Sequence, residues 1–311
     1  MANEISFTTL SSNGGRVSAI LSALVAEQLY DPTDLRAVMS FYPWQSGGSD
    51  TMSISQDAVP GAYAAASSEI SGGGSNSAYT TSKFDLAVAR YLKIYQVTDL
   101  FGVSGGPIDV GRVVQKLVDG VAITMTDLVC ALFGSLSNSV GTSGTNLSID
   151  DLYSAMFQLN SSAVTSTAAS PYACVLHPAQ INDLRTSLRA EANGPLPYTA
   201  ASAEALVAKG PGFQFNWNGV DFWQSDSVNT ANSAADRAGA MFGQGCFAYT
   251  LGDVSAIQGH VPSQNIVVNS GGLLVELERD GANGMTSAIA SCYPAVVEAE
   301  DSRGVGIVTD A

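Results

Sequence analysis

Residues 107–133, PIDVGRVVQKLVDGVAITMTDLVCALF, carry the longest helical pattern in the chain. Polar residues such as Arg112, Lys116 and Asp127 occupy one side, and Pro107 and Gly134 are typical of a helix start and a left-handed helix end. At 1.5 Å per residue the helix is about 40 Å long and needs an equally long surface to pack on. The other side is apolar at spacings of one and three residues: Val110, Val113, Val114, Leu117, Val118, Val121, Ala122, Met125, Leu128, Val129, Leu132 and Phe133.

Composition limits the possible functions. A hydrophobic content of 46% in 311 residues indicates a folded chain with one large core or two moderate ones. The 13 basic residues face 28 acidic ones, for a net charge of −15, which argues against nucleic-acid or anionic-membrane binding as the main role. The N-terminus, MANEISFTTLSSNGG, has no secretion signal, so the protein is expected in the cytosol. Cys130, Cys174, Cys246 and Cys292 form no C-x-x-C pair and are expected to be buried free thiols.

Residues 1–97 are expected to form segments that pack against other parts of the molecule or another copy, and not a core of their own. Residues 16–30 have helical apolar spacing, and residues 35–44 form an apolar cluster, so both are expected to dock elsewhere on the molecule or on another copy. Residues 45–97 are rich in Ser, Gly, Ala and Thr, with alternation at 51–55 and again at 83–95. These two predicted strands, joined through SGGGSNS at 71–77, form a long ribbon. It is either a flexible surface hairpin or a projecting arm stabilised by neighbouring subunits.

The remainder predicts a mixed α+β body. Ser148 is expected to cap a second helix, with Asp151 three residues on, and Pro178 to open a third helix after a strand ending at His177. Asn218 and Gly219 predict a tight hairpin turn. Further strands are expected at 240–251, 266–269, 273–278, 285–298 and 305–308. The order of elements favours antiparallel pairing.

A search for chemistry finds little. Ser104 lies in a G-x-S-x-G sequence and is followed by Asp253 and His260, the chain order of α/β-hydrolases. The preceding strand is charged, however, whereas a nucleophile elbow follows a buried parallel strand. His177 is expected to be a hydrogen-bonded structural residue, and the loop beginning at Asp280 lacks the glutamate that a calcium loop needs. We therefore predict no catalytic, cofactor or metal site, and a protein that is not an enzyme.

This element order resembles tailed-bacteriophage major capsid proteins of the Hong Kong ninety-seven type. In that comparison residues 1–44 correspond to the N-terminal arm, 45–97 to the E-loop ribbon, and 98–169 to a peripheral domain with its spine helix at 107–133. Residues 170–270 correspond to the axial domain, and 271–311 to carboxy-terminal strands that return to the peripheral domain. LSIDDLYSAMFQL at 147–159 and VLHPAQINDL at 175–184 are similar to the helix after the spine and to the start of the axial domain.

The resemblance implies a virion protein that self-assembles in the host cytoplasm into hexamers and pentamers around double-stranded DNA, without sequence-specific binding, cofactors or a membrane. It implies subunit contacts at Phe41, Trp44 and Tyr63, and at Glu69 and Lys83 on the ribbon. Partners would be other copies, a portal, a decoration protein and a separate scaffolding protein, since the chain starts almost at the arm. Some relatives are joined by Lys–Asn bonds, but the partners of Lys83 are unmatched. An encapsulin-like compartment and a hydrolase using Ser104 are the alternatives.

Overall fold

A computed structural model describes residues 35–45, 48–57, 81–99, 110–161, 172–190, 198–200, 212–254, 266–270 and 273–310. The α-helices in these ranges are α1 Val110–Ala131, α2 Ile149–Ser161 and α3 Pro178–Ala190. The strands are β1 Ser40–Phe41, β2 Thr51–Asp57, β3 Thr81–Ala87, β4 Tyr91–Thr98, β5 Ser139–Val140, β6 Tyr172–Leu176, β7 Tyr198–Ala200, β8 Phe213–Trp217, β9 Val220–Gln224, β10 Thr230–Ala231, β11 Asp236–Phe242, β12 Phe247–Leu251, β13 Ile266–Ser270, β14 Leu273–Asp280, β15 Met285–Cys292, β16 Pro294–Glu298 and β17 Gly304–Asp310.

Helix α1 lies within the predicted range 107–133, and residues 107–109 fall outside the described ranges. Its apolar side is buried at Leu117, Met125 and Val129, as the spacing predicts. The prediction that Gly134 closes the helix in a left-handed conformation is wrong. Gly134 lies inside a 3₁₀ turn, Phe133–Ser135, because the amide of Ser135 bonds the carbonyl of Leu132 at 3.1 Å and tightens the chain. No helix in the described ranges is long and apolar enough to cross a membrane.

An eight-stranded mixed sheet forms the largest layer, in the order β5-β17-β11-β6-β9-β8-β7, with β10 beside β11. Alternate residues of its strands point to opposite faces, and both faces are buried. On one face Cys174 and Leu176 belong to a core that also contains residues of α2 and α3. On the other face Ala173 and Val175 pack in a second core with residues near the end of α1 and with Leu35 and Met39. The sheet is thus the layer between two cores.

A second, four-stranded antiparallel sheet has the order β13-β14-β15-β4, and α1 contacts β4, β14 and β15. Cross-strand register places Val275 opposite Ala290 and Leu277 opposite Ala288, and all four side chains are buried on one face. The C-terminal strands therefore divide between sheets, because β14 and β15 lie here whereas β17 pairs with β11 and β5 in the larger sheet.

Three segments that the sequence predicts as single strands are each divided into two shorter strands in the structure. The alternation at 83–95 is divided into β3 and β4, because the amide of Val88 bonds Asp50 and that of Ala89 bonds Pro294. The predicted strand 240–251 is broken at Gly245, whose φ of +91° makes the turn between β11 and β12. The predicted strand 285–298 is broken at Tyr293, between β15 and β16. Leu92 and Ile94 consequently lie in the four-stranded sheet, whereas Phe84 and Leu86 lie in the two-stranded ribbon.

Local helix signals are confirmed. The amide of Ser148 bonds the carboxylate of Asp151 at 2.9 Å, and the amide of Asp151 bonds the Ser148 hydroxyl at 3.3 Å, which is a capping box at the start of α2. Asn218 and Gly219 both have positive φ, +51° and +82°, and connect β8 to β9 as the sequence predicts. The predicted helix at residues 16–30 lies outside the described residues.

Candidate functional site

The two strands β2 and β3 form a separate antiparallel ribbon whose register runs from Thr51 opposite Ala87 to Asp57 opposite Thr81. The described part of the ribbon is anchored to its own subunit. Leu86 is fully buried, the ring of Phe84 contacts that of Tyr42 at 5.6 Å, and β3 lies against β16. The paired strands β2 and β3 are therefore a base that is anchored to its own subunit, called the ribbon base below. Residues 58–80, which connect the two strands, are outside the described ranges.

A side-chain contact also holds the outer end of this base. Gln56 donates from Nε2 to the Glu300 carboxylate at 2.8 Å, although the two residues are far apart in sequence. Glu300 also accepts a hydrogen bond from Ser302, at 2.9 Å. Sequence reasoning missed this contact, since Gln56 follows an ordinary alternating pattern and nothing local points to residue 300.

Residues 298–301, at the end of β16 and just after it, are mostly acidic and connect three parts of the subunit. Ser135, at the end of the α1 region, donates to Glu298 at 2.9 Å, and the amide of Ser137 donates to Asp301 at 2.8 Å. Burial raises the pKa of the Glu298 carboxyl, the Ser135 hydrogen bond opposes that shift, and the charge of Asp301 adds to it. Together with the Gln56–Glu300 contact, residues 298–301 connect the ribbon base, β16 and the turn that follows α1.

The predicted contact residues fall into three groups. Phe41, in β1, has a 53% exposed side chain, and its ring lies 5.1 Å from that of Tyr249. Trp44 is half-buried and Lys83 is exposed on β3, opposite Ser55 in the register. The Tyr42–Phe84 contact brings residues 41–44 beside the ribbon base. Tyr63 and Glu69 lie outside the described residues, and the contact roles of all five residues remain predictions.

The residues of the hydrolase hypothesis are not assembled into a site by the described structure. Asp253 follows β12 in a loop, whereas Ser104 and His260 lie outside the described residues. In the described part of the chain no group of His, Cys, Asp and Glu has the arrangement of a metal site. The four cysteines are buried free thiols, as predicted, and burial raises the pKa of Cys130 to about 12 and that of Cys292 to about 11.

The two features that most resembled chemical sites have structural roles. His177 precedes α3: its amide donates to the Gln180 side chain at 3.1 Å, and its Nδ1 accepts from the amide of Ala179 at 3.3 Å. This confirms the prediction of a structural histidine. Asp280 accepts hydrogen bonds from the amides of Ala282 and Asn283, at 3.0 and 3.2 Å, so its carboxylate shapes the β14–β15 turn.

No family model and no curated protein matches the sequence. Solved structures do match the fold. The capsid of Ralstonia phage GP4 is 12% identical and superposes with a TM-score of 0.60 over 92% of this chain and 90% of that one. The capsid of the cyanophage P-SCSP1u is 11% identical, with a TM-score of 0.59 over 90% and 89% of the two chains.

An encapsulin complex from Synechococcus elongatus is also similar, with 14% identity and a TM-score of 0.54 over 89% of this chain and 86% of that one. At such low identities the likeness establishes the fold alone. The α+β architecture predicted from the sequence is confirmed, and the chain has the fold of phage capsid proteins.

Proposed function

We propose that this protein is the major capsid protein of a tailed bacteriophage, of the Hong Kong ninety-seven type. The observation that carries the proposal is a fold shared with phage capsids over about nine-tenths of both chains, with TM-scores of 0.59 and 0.60. An anchored ribbon base that precedes a long helix fits the same reading. The same likeness in fold supports the proposal that the protein has a structural role and is not an enzyme.

In this proposal copies of the chain form the hexamers and pentamers of an icosahedral head that encloses double-stranded DNA. Residues 1–44 act as the arm, 45–97 as the E-loop, 98–169 with 271–311 as the peripheral domain, and 170–270 as the axial domain. The arm and the ribbon beyond residue 57 lie across neighbouring subunits, with Phe41, Trp44, Tyr63, Glu69 and Lys83 in the contacts. A portal, a scaffolding protein and a decoration protein complete the set of partners.

The net charge of −15 bears on how the genome is held. A shell built from acidic subunits repels phosphate groups at long range, so DNA inside it is confined by the closed wall rather than bound to it. Self-association must then come from complementary shape, apolar contact and strand pairing. Each contributes modest stabilisation at one interface, and the contribution is repeated many times over the shell.

An encapsulin-like compartment is the second candidate, because an encapsulin shares the fold at a TM-score of 0.54. Purified particles distinguish the two. We expect electron microscopy to show closed icosahedral shells, and nuclease-protected double-stranded DNA to co-purify with shells from infected cells. Shells from their native source that hold protein cargo and no nucleic acid would favour the compartment. A chain that stays monomeric at every concentration would contradict both.

A further inference from the structure

Among the described residues, strand β4 is the edge of the four-stranded sheet, with a pairing strand on one side only. All eight residues pair with β15 in an unbroken antiparallel register, from Tyr91 opposite Cys292 to Thr98 opposite Met285. On its other side no strand of the described residues pairs with it. A long edge strand is a template for another strand, and proteins usually protect such an edge with a bulge, a proline, a short length or a charge such as lysine. Of these devices β4 has only a lysine, Lys93.

The register shows which backbone groups are free. The amide of Asp99 donates to the carbonyl of Gly284 at 2.8 Å, and that of Ala89 donates to Pro294 at 3.4 Å, so odd-numbered residues make the hydrogen bonds to this neighbour. In an antiparallel pair the residues between them direct their N–H and C=O groups away from the partner. Leu92, Ile94 and Gln96 therefore present their backbone groups to the free edge.

The side chains beside this edge are apolar and exposed. Leu92 and Ile94 are 48% and 45% exposed, and Ile94 lies directly opposite Ile289, which is half-buried. The opposite face of the sheet is covered at β15, where Ala288 and Ala290 are buried. An exposed apolar strip along a free strand edge is a surface typical of partner binding.

Charge indicates the kind of partner. Arg90, just before β4, and Lys93, on the other face of the strand from Leu92 and Ile94, are exposed, in a chain with 13 basic residues and a net charge of −15. Arg90 Nη2 also donates to the Ser291 hydroxyl at 3.1 Å. Lys93 lies 5.8 Å from the centre of the Tyr95 ring, which holds the ammonium along the strand. A basic edge on an acidic molecule is complementary to another copy of that molecule.

We propose that β4 pairs through this free edge with an extended strand of a second copy, so that the four-stranded sheet continues across the subunit boundary. The proposal rests on the proposed function, since it assigns one of the shell contacts. It differs from the ribbon contacts because it uses backbone groups at Leu92, Ile94 and Gln96, and not the side chains predicted from the sequence.

The test is Gln96→Pro against the matched control Gln96→Ala. The Gln96 amide makes no bond to β15, so proline removes the outward donor without removing a hydrogen bond of the subunit's own ladder, although its ring also fixes φ at about −65°. We expect Gln96→Pro to lower the yield of assembled particles at least tenfold, and Gln96→Ala to assemble like the wild type, with sedimentation velocity as the readout. Thermal unfolding of unassembled subunits checks that both fold. Equal assembly of the two folded variants would overturn the strand pairing.

Two further measurements cover a folding failure of the proline variant. Ile94→Lys should reduce assembly, whereas Ile123→Lys, at a 55% exposed position on α1, should not. A photo-crosslinker at Leu92, in a mixture of two differently tagged chains, should join one tag to the other. Links confined to a single chain would show that the subunit's own residues cover the edge, and would overturn the proposal. Wild-type chains that form no particles would instead contradict the proposed function.

Discussion

Gln180 shows how a single side chain ties distant parts of the subunit together. It is fully buried, and its Nε2 lies 2.9 Å from the Thr309 hydroxyl, 3.1 Å from the Arg237 carbonyl and 3.3 Å from the Ile307 carbonyl. Its Oε1 accepts the His177 amide. Gly239 leaves room for this arrangement, since a Cβ there would lie 2.8 Å from the Val175 carbonyl. The start of α3 is thereby fixed to β11 and β17.

Replacing Gln180 by leucine should strongly destabilise the fold. The change keeps the volume but leaves several buried donors and acceptors without partners, each costing about 1–3 kcal/mol. We expect a loss on the order of 3 kcal/mol in the free energy of unfolding, measured by urea denaturation. Asn182→Leu, at an exposed position of the same helix, is the control and should change stability by less than about 0.5 kcal/mol. A similar small change for both variants would contradict the role given to Gln180.

Asp236 gives the subunit a predictable response to acid. Its side chain is shielded from solvent and accepts hydrogen bonds from the Asn232 amide group and, at 3.0 Å, from the Gly144 backbone. These bonds, with one from Ser143, lower the pKa of the Asp236 carboxyl below its ordinary value of 3.8. A lowered folded-state pKa stabilises the fold above the ordinary value, and that stabilisation is lost as the pH falls through the folded-state pKa.

Asp236→Asn should therefore be less stable than the wild type at pH 7, and the difference should shrink below about pH 4. Thermal unfolding between pH 2 and pH 7 measures it. Asp127→Asn, which removes an equal charge from an exposed position on α1, is the control and should change stability at pH 7 by less than about 0.5 kcal/mol. A difference that stays constant down to pH 2 would contradict the assignment to ionisation.

At the scale of elements, sequence and structure agree where the signals are local. The apolar side of α1, the Ser148–Asp151 cap and the turn at Asn218 were all predictable, because the residues that specify them are close together in the sequence. The breaks in the predicted strands were not predictable. Alternation continues through residues 88–90, and only the hydrogen bonds that the amides of Val88 and Ala89 donate to the carbonyls of Asp50 and Pro294 show that the chain changes sheets there.

The candidate site was predictable in part for the same reason. The contact roles of Phe41 and Lys83 were inferred from the resemblance and remain predictions; the sequence pattern itself places Phe41 in an apolar cluster and Lys83 on the ribbon. The Gln56–Glu300 contact depends on residues that the fold brings together, and the free edge of β4 depends on the absence of a neighbouring strand in the described ranges. Gln180 is a similar case, since it bonds Thr309, a residue 129 positions away.

Truncation of the ribbon should separate folding from assembly. Asp57 and Thr81 are opposite each other in the register, so an Asn-Gly turn can replace residues 58–80 and close the hairpin. A wider deletion of 48–80 would remove β2 and leave β3 unpaired. We expect the truncated chain to melt within a few degrees of the wild type, because Leu86 and Phe84 keep their contacts.

The same variant should no longer form closed shells if residues 58–80 reach across neighbours. Electron microscopy of particles at matched concentration measures this. A suitable control replaces only 71–77, SGGGSNS, with another flexible sequence of equal length, and should assemble normally. Closed shells of ordinary size from the truncated chain would contradict the role of the ribbon.

At the scale of the whole molecule, net charge should govern when subunits associate. Each copy carries −15, so copies repel one another at distances beyond direct contact. The screening length falls from about 30 Å at 0.01 M salt to about 8 Å at physiological ionic strength. Contact interactions between subunits are short-ranged and change little with salt. The long-range repulsion between subunits therefore weakens more than the contacts do as salt is added.

Assembly should therefore require less protein as salt increases. We expect the concentration for half-maximal particle formation to fall several-fold between about 0.01 M and 0.15 M salt, measured by light scattering. An uncharged osmolyte at equal osmolality is the control and should have a smaller effect. A concentration that rises with salt would show that attraction between opposite charges, and not relief of repulsion, dominates the contacts.

The position of β17 affects how the chain is made. It is the last described strand in chain order, yet it lies inside the larger sheet between β11 and β5, where Val305 and Ile307 are buried. During translation all the remaining strands of that sheet leave the ribosome before β17. The sheet therefore cannot be completed until β17 has been synthesised. A product that terminates before Gly304 lacks an interior strand and exposes the flank of β11. Prematurely terminated polypeptides would thus be left for proteolysis and kept out of finished particles.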